Sequence, residues 1–207
     1  VSYPEKKTEP ENEKGGSPMS VEKTYNILMC GVGGQGIITT SNMLSQAAMN
    51  AGFDVKKSEI HGMSQRGGSV FSHVRFGKKI HSPVISHGQA DVLISLEEME
   101  TLRWVDFPAK DAKIIVLKNR ILPFGVEEYP KKVEEEMQKY FSNIVFLDPA
   151  ELKEKTGSPK TLNVAVLGAA SASLGISDEC WEDAIRSLAP KGTEDINWLA
   201  FQKGKSE

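Results

Sequence analysis

The chain has 207 residues, 25 Lys and Arg against 28 Asp and Glu, and a formal net charge of −3, so no global basic field favours nucleic acid. No apolar run approaches the roughly 18 residues a membrane span needs, and no basic and apolar leader precedes the first strand, so a cytoplasmic protein without membrane contact is expected. Two distant cysteines, Cys30 and Cys180, exclude a four-cysteine iron–sulfur site within the chain and give no zinc-ligand spacing; both read as buried thiols.

Residues 1–20 are rich in Lys, Glu, Pro, Gly and Ser and read as a solvated tail or cloning remnant, leaving 21–207 as one domain. Residues 26–36 are a short apolar run that breaks into glycines at Gly31, Gly33, Gly34 and Gly36 before Ile37 and Ile38 resume. That order is a strand, a tight turn and the first turn of a helix, which the apolar spacing carries over 37–51. Residues 53–60 predict a second strand and the start of a parallel βαβ unit, running into the glycine-punctuated loop His61–Ser69. Alternation over 70–76, then Gly77-Lys78-Lys79, then 80–85, predicts a β-hairpin whose Pro83 marks an edge strand.

Three short runs, 92–94, 114–117 and 144–147, are almost wholly apolar, as strands covered on both faces are. Between them the acidic run Glu97, Glu98, Glu100 reads as an exposed helix start. Asp148 before Pro149 caps a helix that ends near Gly157, residues 162–174 form a deeply packed helix, and 181–188 and 196–201 are amphipathic. The expected fold is α/β, a three-layer sandwich with a Rossmann-like, mostly parallel sheet and a β-hairpin extension.

The chemistry concentrates in two glycine-rich loops. Gly31, Gly33, Gly34, Gln35 and Gly36 are cofactor-binding candidates, because glycines let a backbone approach an anion and the unpaired N–H groups of a helix start point at it. A purely structural turn is the competing reading. In the second loop Ser64, Gln65, Gly67 and Gly68 are binding candidates, and Arg66 offers a fixed fork of donors for a carboxylate or phosphate. His61, at a strand end, either moves a proton near neutral pH or braces the loop. Glu59 stands where a dinucleotide fold holds its ribose, which keeps an NAD(P)-dependent dehydrogenase as an alternative. His73, His81 and His87 have no metal-ligand partners at evident spacing, and no metal site is expected.

Gly31-Val-Gly-Gly-Gln-Gly36 and Ser58-Glu-Ile-His-Gly-Met-Ser-Gln-Arg-Gly-Gly-Ser69 together resemble the gamma-type domain of the 2-oxoacid:ferredoxin oxidoreductases. Within that family His61 to Val70, followed by Ser72-His-Val-Arg75, is similar to the beta subunits of indolepyruvate ferredoxin oxidoreductases. The likeness continues through Ser82-Pro83, the Ala90-Asp-Val-Leu strand, Asn163 and Asn197-Trp-Leu-Ala-Phe201, and leaves out residues 1–20. The resemblance implies a complex that decarboxylates a 2-oxoacid such as indole-3-pyruvate, passes the acyl group to coenzyme A and reduces ferredoxin. Thiamine diphosphate, magnesium and iron–sulfur clusters would sit on a larger alpha subunit, none being held by this chain alone. This chain, inactive by itself, would cover the site and help receive coenzyme A at the N–H groups of Gly33 to Gly36 and at Arg66. Pyruvate or 2-oxoisovalerate as substrate, and a purely structural interface subunit, are the other readings.

Overall fold

A computed structural model describes residues 23–61, 67–122 and 125–207. Strand β1 (Tyr25–Val32) leads through the glycine turn into α1 (Ile37–Asn50), followed by β2 (Asp54–His61), β3 (Ser69–Gly77) and β4 (Ala90–Ser95). After them come α2 (Glu98–Leu102), β5 (Pro108–Leu117), α3 (Val133–Tyr140), β6 (Ile144–Leu147) and α4 (Pro149–Thr156). A single 3₁₀ turn then opens α5 (Leu162–Ser171), and α6 (Asp178–Leu188) and α7 (Glu194–Lys205) complete the described chain.

The six strands lie in the order β2-β3-β1-β4-β5-β6. Only β3 runs against the rest, antiparallel to β1 on one side and to β2 on the other, while β1, β4, β5 and β6 pair in parallel. Side chains alternate across this sheet, as the two-residue period requires. Ile27 and Met29 point to one core with α1 and α4 to α7, and Leu28 and Cys30 point to the other with α2 and α3. Helices on both faces make the three-layer sandwich, and explain why the central strands are unbroken apolar runs. Local signals set the ends of α4: the Asp148 carboxylate accepts from the N–H of Ala150 at 2.7 Å, Pro149 fills the first turn, and Gly157 closes it at φ 74°. Among the described residues no helix is long and apolar enough to cross a membrane.

Two expectations change. The hairpin joins β3 to β2 through the His61–Ser69 loop, and residues 80–85 form no strand. Both edges of β3 are already taken, by β1 and by β2, so the later segment cannot pair with it as the second strand of a hairpin. Its backbone is served by side chains instead: Asp54 accepts from Ile80 N–H at 2.8 Å, His73 Nδ1 accepts from Ile85 N–H at 3.0 Å, and Arg75 donates to the carbonyls of Ser82 and Val84. The first βαβ unit is likewise opened, because β3 lies between β1 and β2.

Candidate functional site

The chain leaves β1 toward β2 and β3 on one side and later places β4 on the other. The carboxyl ends of β1 and β4 therefore form the crevice where ligands collect in open α/β sheets. The glycine turn lies across this point, and Gln35 folds back to brace it. Its Oε1 accepts from Val32 N–H at 2.7 Å, and its Nε2 donates to the Leu96 carbonyl just past β4 at 2.5 Å. A Cβ at Gly31 would stand 2.7 Å from that Oε1, so the brace requires glycine there. Gly36 has φ 87°, and a Cβ on it would come within 2.6 Å of Asn163 Nδ2. Asn163 in turn donates to Thr40 Oγ1 at 2.9 Å, tying the start of α5 to the first turns of α1.

The two glycine loops meet. Gly33 N–H donates to the Gly68 carbonyl at 2.8 Å, and Gly67 N–H lies 3.5 Å from the Gly33 carbonyl. Two donors of the expected anion cradle are thereby occupied, Gly33 N–H by this contact and Gln35 N–H by the Val32 carbonyl at 3.1 Å. Donors that remain without an acceptor among the described residues are those of Gly34, Gly36 and the first turn of α1, a helix start with no side-chain cap and no acidic residue. Ser64, Gln65 and Arg66 lie outside the described residues. His61 is described by its backbone alone, paired with Val70 at the end of β2.

A cavity of about 620 Å³ opens beside the turn, between Gly36, Leu96, Asn119, Lys160, Asn163 and Asn197. A smaller one of about 330 Å³ lies between the turn, Ile38 and Val70. The first turns of α1, α5 and α7 all border the larger cavity, and none of the three carries a side-chain cap. Lys160 is the one cationic side chain among its described lining residues. Such a setting favours an anionic group held by backbone donors.

Glu97, Glu98 and Glu100 are buried, against the expectation of an exposed helix start. Glu97 accepts from Glu100 N–H at 2.9 Å, from the Tyr129 hydroxyl at 2.6 Å and from Ile121 N–H at 3.3 Å. Burial pushes the Glu98 carboxyl above its ordinary range, and Arg120, whose Nε lies 3.0 Å from both oxygens, pulls it back. Glu100 accepts from Ser69 Oγ at 2.5 Å, fastening the last residue of the second loop to α2, and from Arg103 Nε at 2.9 Å. The available signal was the length of α2: a five-residue helix directly after a buried strand has little room for a solvent face.

Other candidates fall away. Glu59 is held by Ser41 Oγ at 3.1 Å and Lys57 Nζ at 2.5 Å, on a strand separated from β1 by β3. A ribose-holding acid would end the strand beside the glycine strand, so the dehydrogenase alternative loses its second residue. The Cys30 thiol donates to Ser95 Oγ at 3.3 Å, and burial pushes it up to about 12, which makes it inert packing. Cys180 is half-buried and free.

Residues 26–207 match the family described as "Pyruvate ferredoxin/flavodoxin oxidoreductase". The chain is 38% identical over 193 residues to the "Indolepyruvate oxidoreductase subunit IorB" of Thermococcus kodakarensis, covering 88% of this chain and 95% of that protein. Its fold is similar to the gamma subunit of a keto/oxoacid ferredoxin oxidoreductase from Geobacter sulfurreducens PCA, with a TM-score of 0.68 and 24% identity over 89% of this chain and 95% of that one. It also resembles part of a 2-oxoglutarate:ferredoxin oxidoreductase from Magnetococcus marinus, at a TM-score of 0.67 and 18% identity, where 89% of this chain covers 31% of the longer one.

Proposed function

Because the chain belongs to the pyruvate ferredoxin/flavodoxin oxidoreductase family, we propose that it is the smaller subunit of a cytoplasmic complex that oxidises an aryl 2-oxoacid such as indole-3-pyruvate to its acyl-CoA. In that reaction the 2-oxoacid and the thiol of coenzyme A give acyl-CoA, carbon dioxide and a proton, and two electrons pass to two one-electron ferredoxins. The likeness to the Thermococcus subunit over nearly its whole length carries the choice of substrate. Two cysteines, one of them buried and inert, are too few for an iron–sulfur cluster. The larger partner would hold the clusters, the metal and thiamine diphosphate, which supplies the carbanion chemistry.

This chain's own part is at the carboxyl edge of the sheet. The free N–H groups of Gly34, Gly36 and the first turn of α1 would receive the diphosphate of coenzyme A, and Arg66 would add a charged fork. Covering the partner's site would exclude water that would otherwise protonate the reacting carbon too early. Native purification should yield a larger partner with bound thiamine diphosphate and iron, active with 2-oxoacids and coenzyme A on an artificial acceptor. Within that complex Arg66→Ala should raise KM for coenzyme A by about tenfold or more, the size of a lost charged hydrogen bond, with assembly intact. Unchanged kinetics would end this role for Arg66, and failure to assemble would instead favour a purely structural subunit. A lone chain that binds NAD would overturn the proposal.

A further inference from the structure

Two asparagines beside the glycine turn are held so that each offers an acceptor. Thr40 Oγ1 donates to the Gly36 carbonyl at 2.9 Å and Thr193 Oγ1 to the Pro190 carbonyl at 2.7 Å, so each hydroxyl has given its proton and can only accept. Asn163 Nδ2 donates to the first at 2.9 Å, and Asn197 Nδ2 to the second at 3.0 Å and to the Thr193 carbonyl at 2.8 Å. That network assigns the amide nitrogens to the threonine side. Oδ1 of each asparagine then accepts nothing among the described residues, although Asn197 is only 6% exposed, and both residues line the cavity of about 620 Å³. A buried acceptor without a donor is costly and calls for a partner.

Asn119, just past β5, brings a third carboxamide to the same cavity. Its backbone is engaged, the N–H with the Leu117 carbonyl and the carbonyl with Glu98 N–H, while its half-buried side chain has no partner among the described residues. This amide can present a donor and an acceptor side by side. Between the amides the walls are apolar, with Leu96 and Leu117 near the ends of β4 and β5, Met43 of α1 and Ile196 of α7. No acidic side chain stands among the described lining residues, and the uncapped starts of α1, α5 and α7 border the same space as Lys160. The matching ligand has a flat body for the apolar walls, an amino group for the fixed oxygens, a ring acceptor beside a donor for Asn119, and an anionic group for the helix starts. An adenine nucleotide has all four, and a carboxamide pairs with adenine through its amino group and a neighbouring ring nitrogen. The volume falls in the range of small-molecule sites.

We propose that this cavity is a site for an adenosine phosphate, its asparagines selecting the base and its helix starts, with Lys160, taking the phosphate. The proposal deepens the function proposed above and rests on it for one point only, whether the nucleotide is the one built into coenzyme A or a free one. Hypoxanthine and guanine carry a carbonyl where adenine carries its amine, so they would set an oxygen against the fixed Oδ1 atoms. Selection then comes from that repulsion as much as from the bonds adenine makes.

The test is calorimetric titration of the full chain, and of the native complex, with adenosine, inosine and guanosine diphosphates. The adenosine form should bind, and the other two at least about tenfold more weakly, the discrimination a two-bond carboxamide contact supplies. Asn119→Leu, similar in size at a side chain bonded to no described residue, should keep the wild-type circular dichroism and melting temperature and weaken adenosine diphosphate about tenfold. Adenosine without phosphate should bind the wild type more weakly than its diphosphate does. In the complex, competition between adenosine diphosphate and coenzyme A would assign the nucleotide to the coenzyme, and binding beside saturating coenzyme A would assign it to a free nucleotide; either upholds the site. Absence of adenosine diphosphate binding to both chain and complex, equal binding of the three diphosphates, or unchanged binding in Asn119→Leu would overturn the inference, and turnover with coenzyme A in the same preparation would leave the proposed function standing. A complex that selects adenosine diphosphate yet does not use coenzyme A would overturn that function and leave the site.

Discussion

Gly36 does two jobs at one Cα. It turns the chain at φ 87°, and it leaves room for the Asn163 amide that joins α5 to α1. Gly36→Ala should therefore cost about 1–3 kcal/mol through backbone strain, read as a lower urea midpoint. Adding Asn163→Ala should relieve the clash at 2.6 Å and leave the strain, so the double variant should recover only part of the loss. Full recovery would mean that the left-handed turn itself costs nothing. The glycines were legible in the sequence because a turn between strand and helix restricts residue choice locally. The Gln35 brace was not, since one of its partners, Leu96, lies 61 residues away. The buried acids were misread for the same reason: nothing near Glu97 and Glu98 announces Arg120 or Tyr129.

At the level of elements the strands were legible where burial on both faces leaves only apolar residues, as in 114–117 and 144–147, and the Asp148 and Gly157 signals bounded α4 correctly. Residues 80–85 show the limit. Their alternation and Pro83 fit an edge strand, yet strand pairing depends on which edges are free, and that is a property of the sheet. The pair α5 and α7 illustrates packing that the sequence hides just as well. A Cβ at Gly204 would fall 1.8 Å from the Ala165 carbonyl oxygen, and one at Gly168 would fall 2.1 Å from that of Phe201, so the two backbones touch. Gly204→Ala must push the helices apart and should cost about 3 kcal/mol, the upper range for overpacking a core. Lys203→Ala, on the exposed side of the same turn, should stay within about 0.5 kcal/mol in the same unfolding measurement.

For the whole molecule, Glu98 gives stability an uncommon dependence on pH. Its carboxyl titrates higher in the folded protein than its ordinary 4.5, first because of burial, so the folded state holds the proton more tightly than the unfolded chain does. The stability it adds is complete below that ordinary value and is lost as pH rises through the raised one. Most paired carboxylates act in the opposite sense. Glu98→Gln keeps an acceptor for Arg120 and removes the titration. The stability of the wild type relative to this variant should therefore fall as pH rises from the ordinary 4.5 through the raised value. A flat difference across that range would show that Arg120 fully compensates the burial.

The placement of β3 also dictates the order in which the sheet can form. Paired residues of β1 and β4 lie 65 positions apart in the chain, whereas β2 and β3 are neighbours in sequence and fold against each other as a local hairpin. Because β2 touches no other strand, it has no route into the sheet except as the passenger of β3. β2 can hold its place only while β3 holds its own, and the contacts of Gly67 and Gly68 with Gly33 form only when β3 zips onto β1.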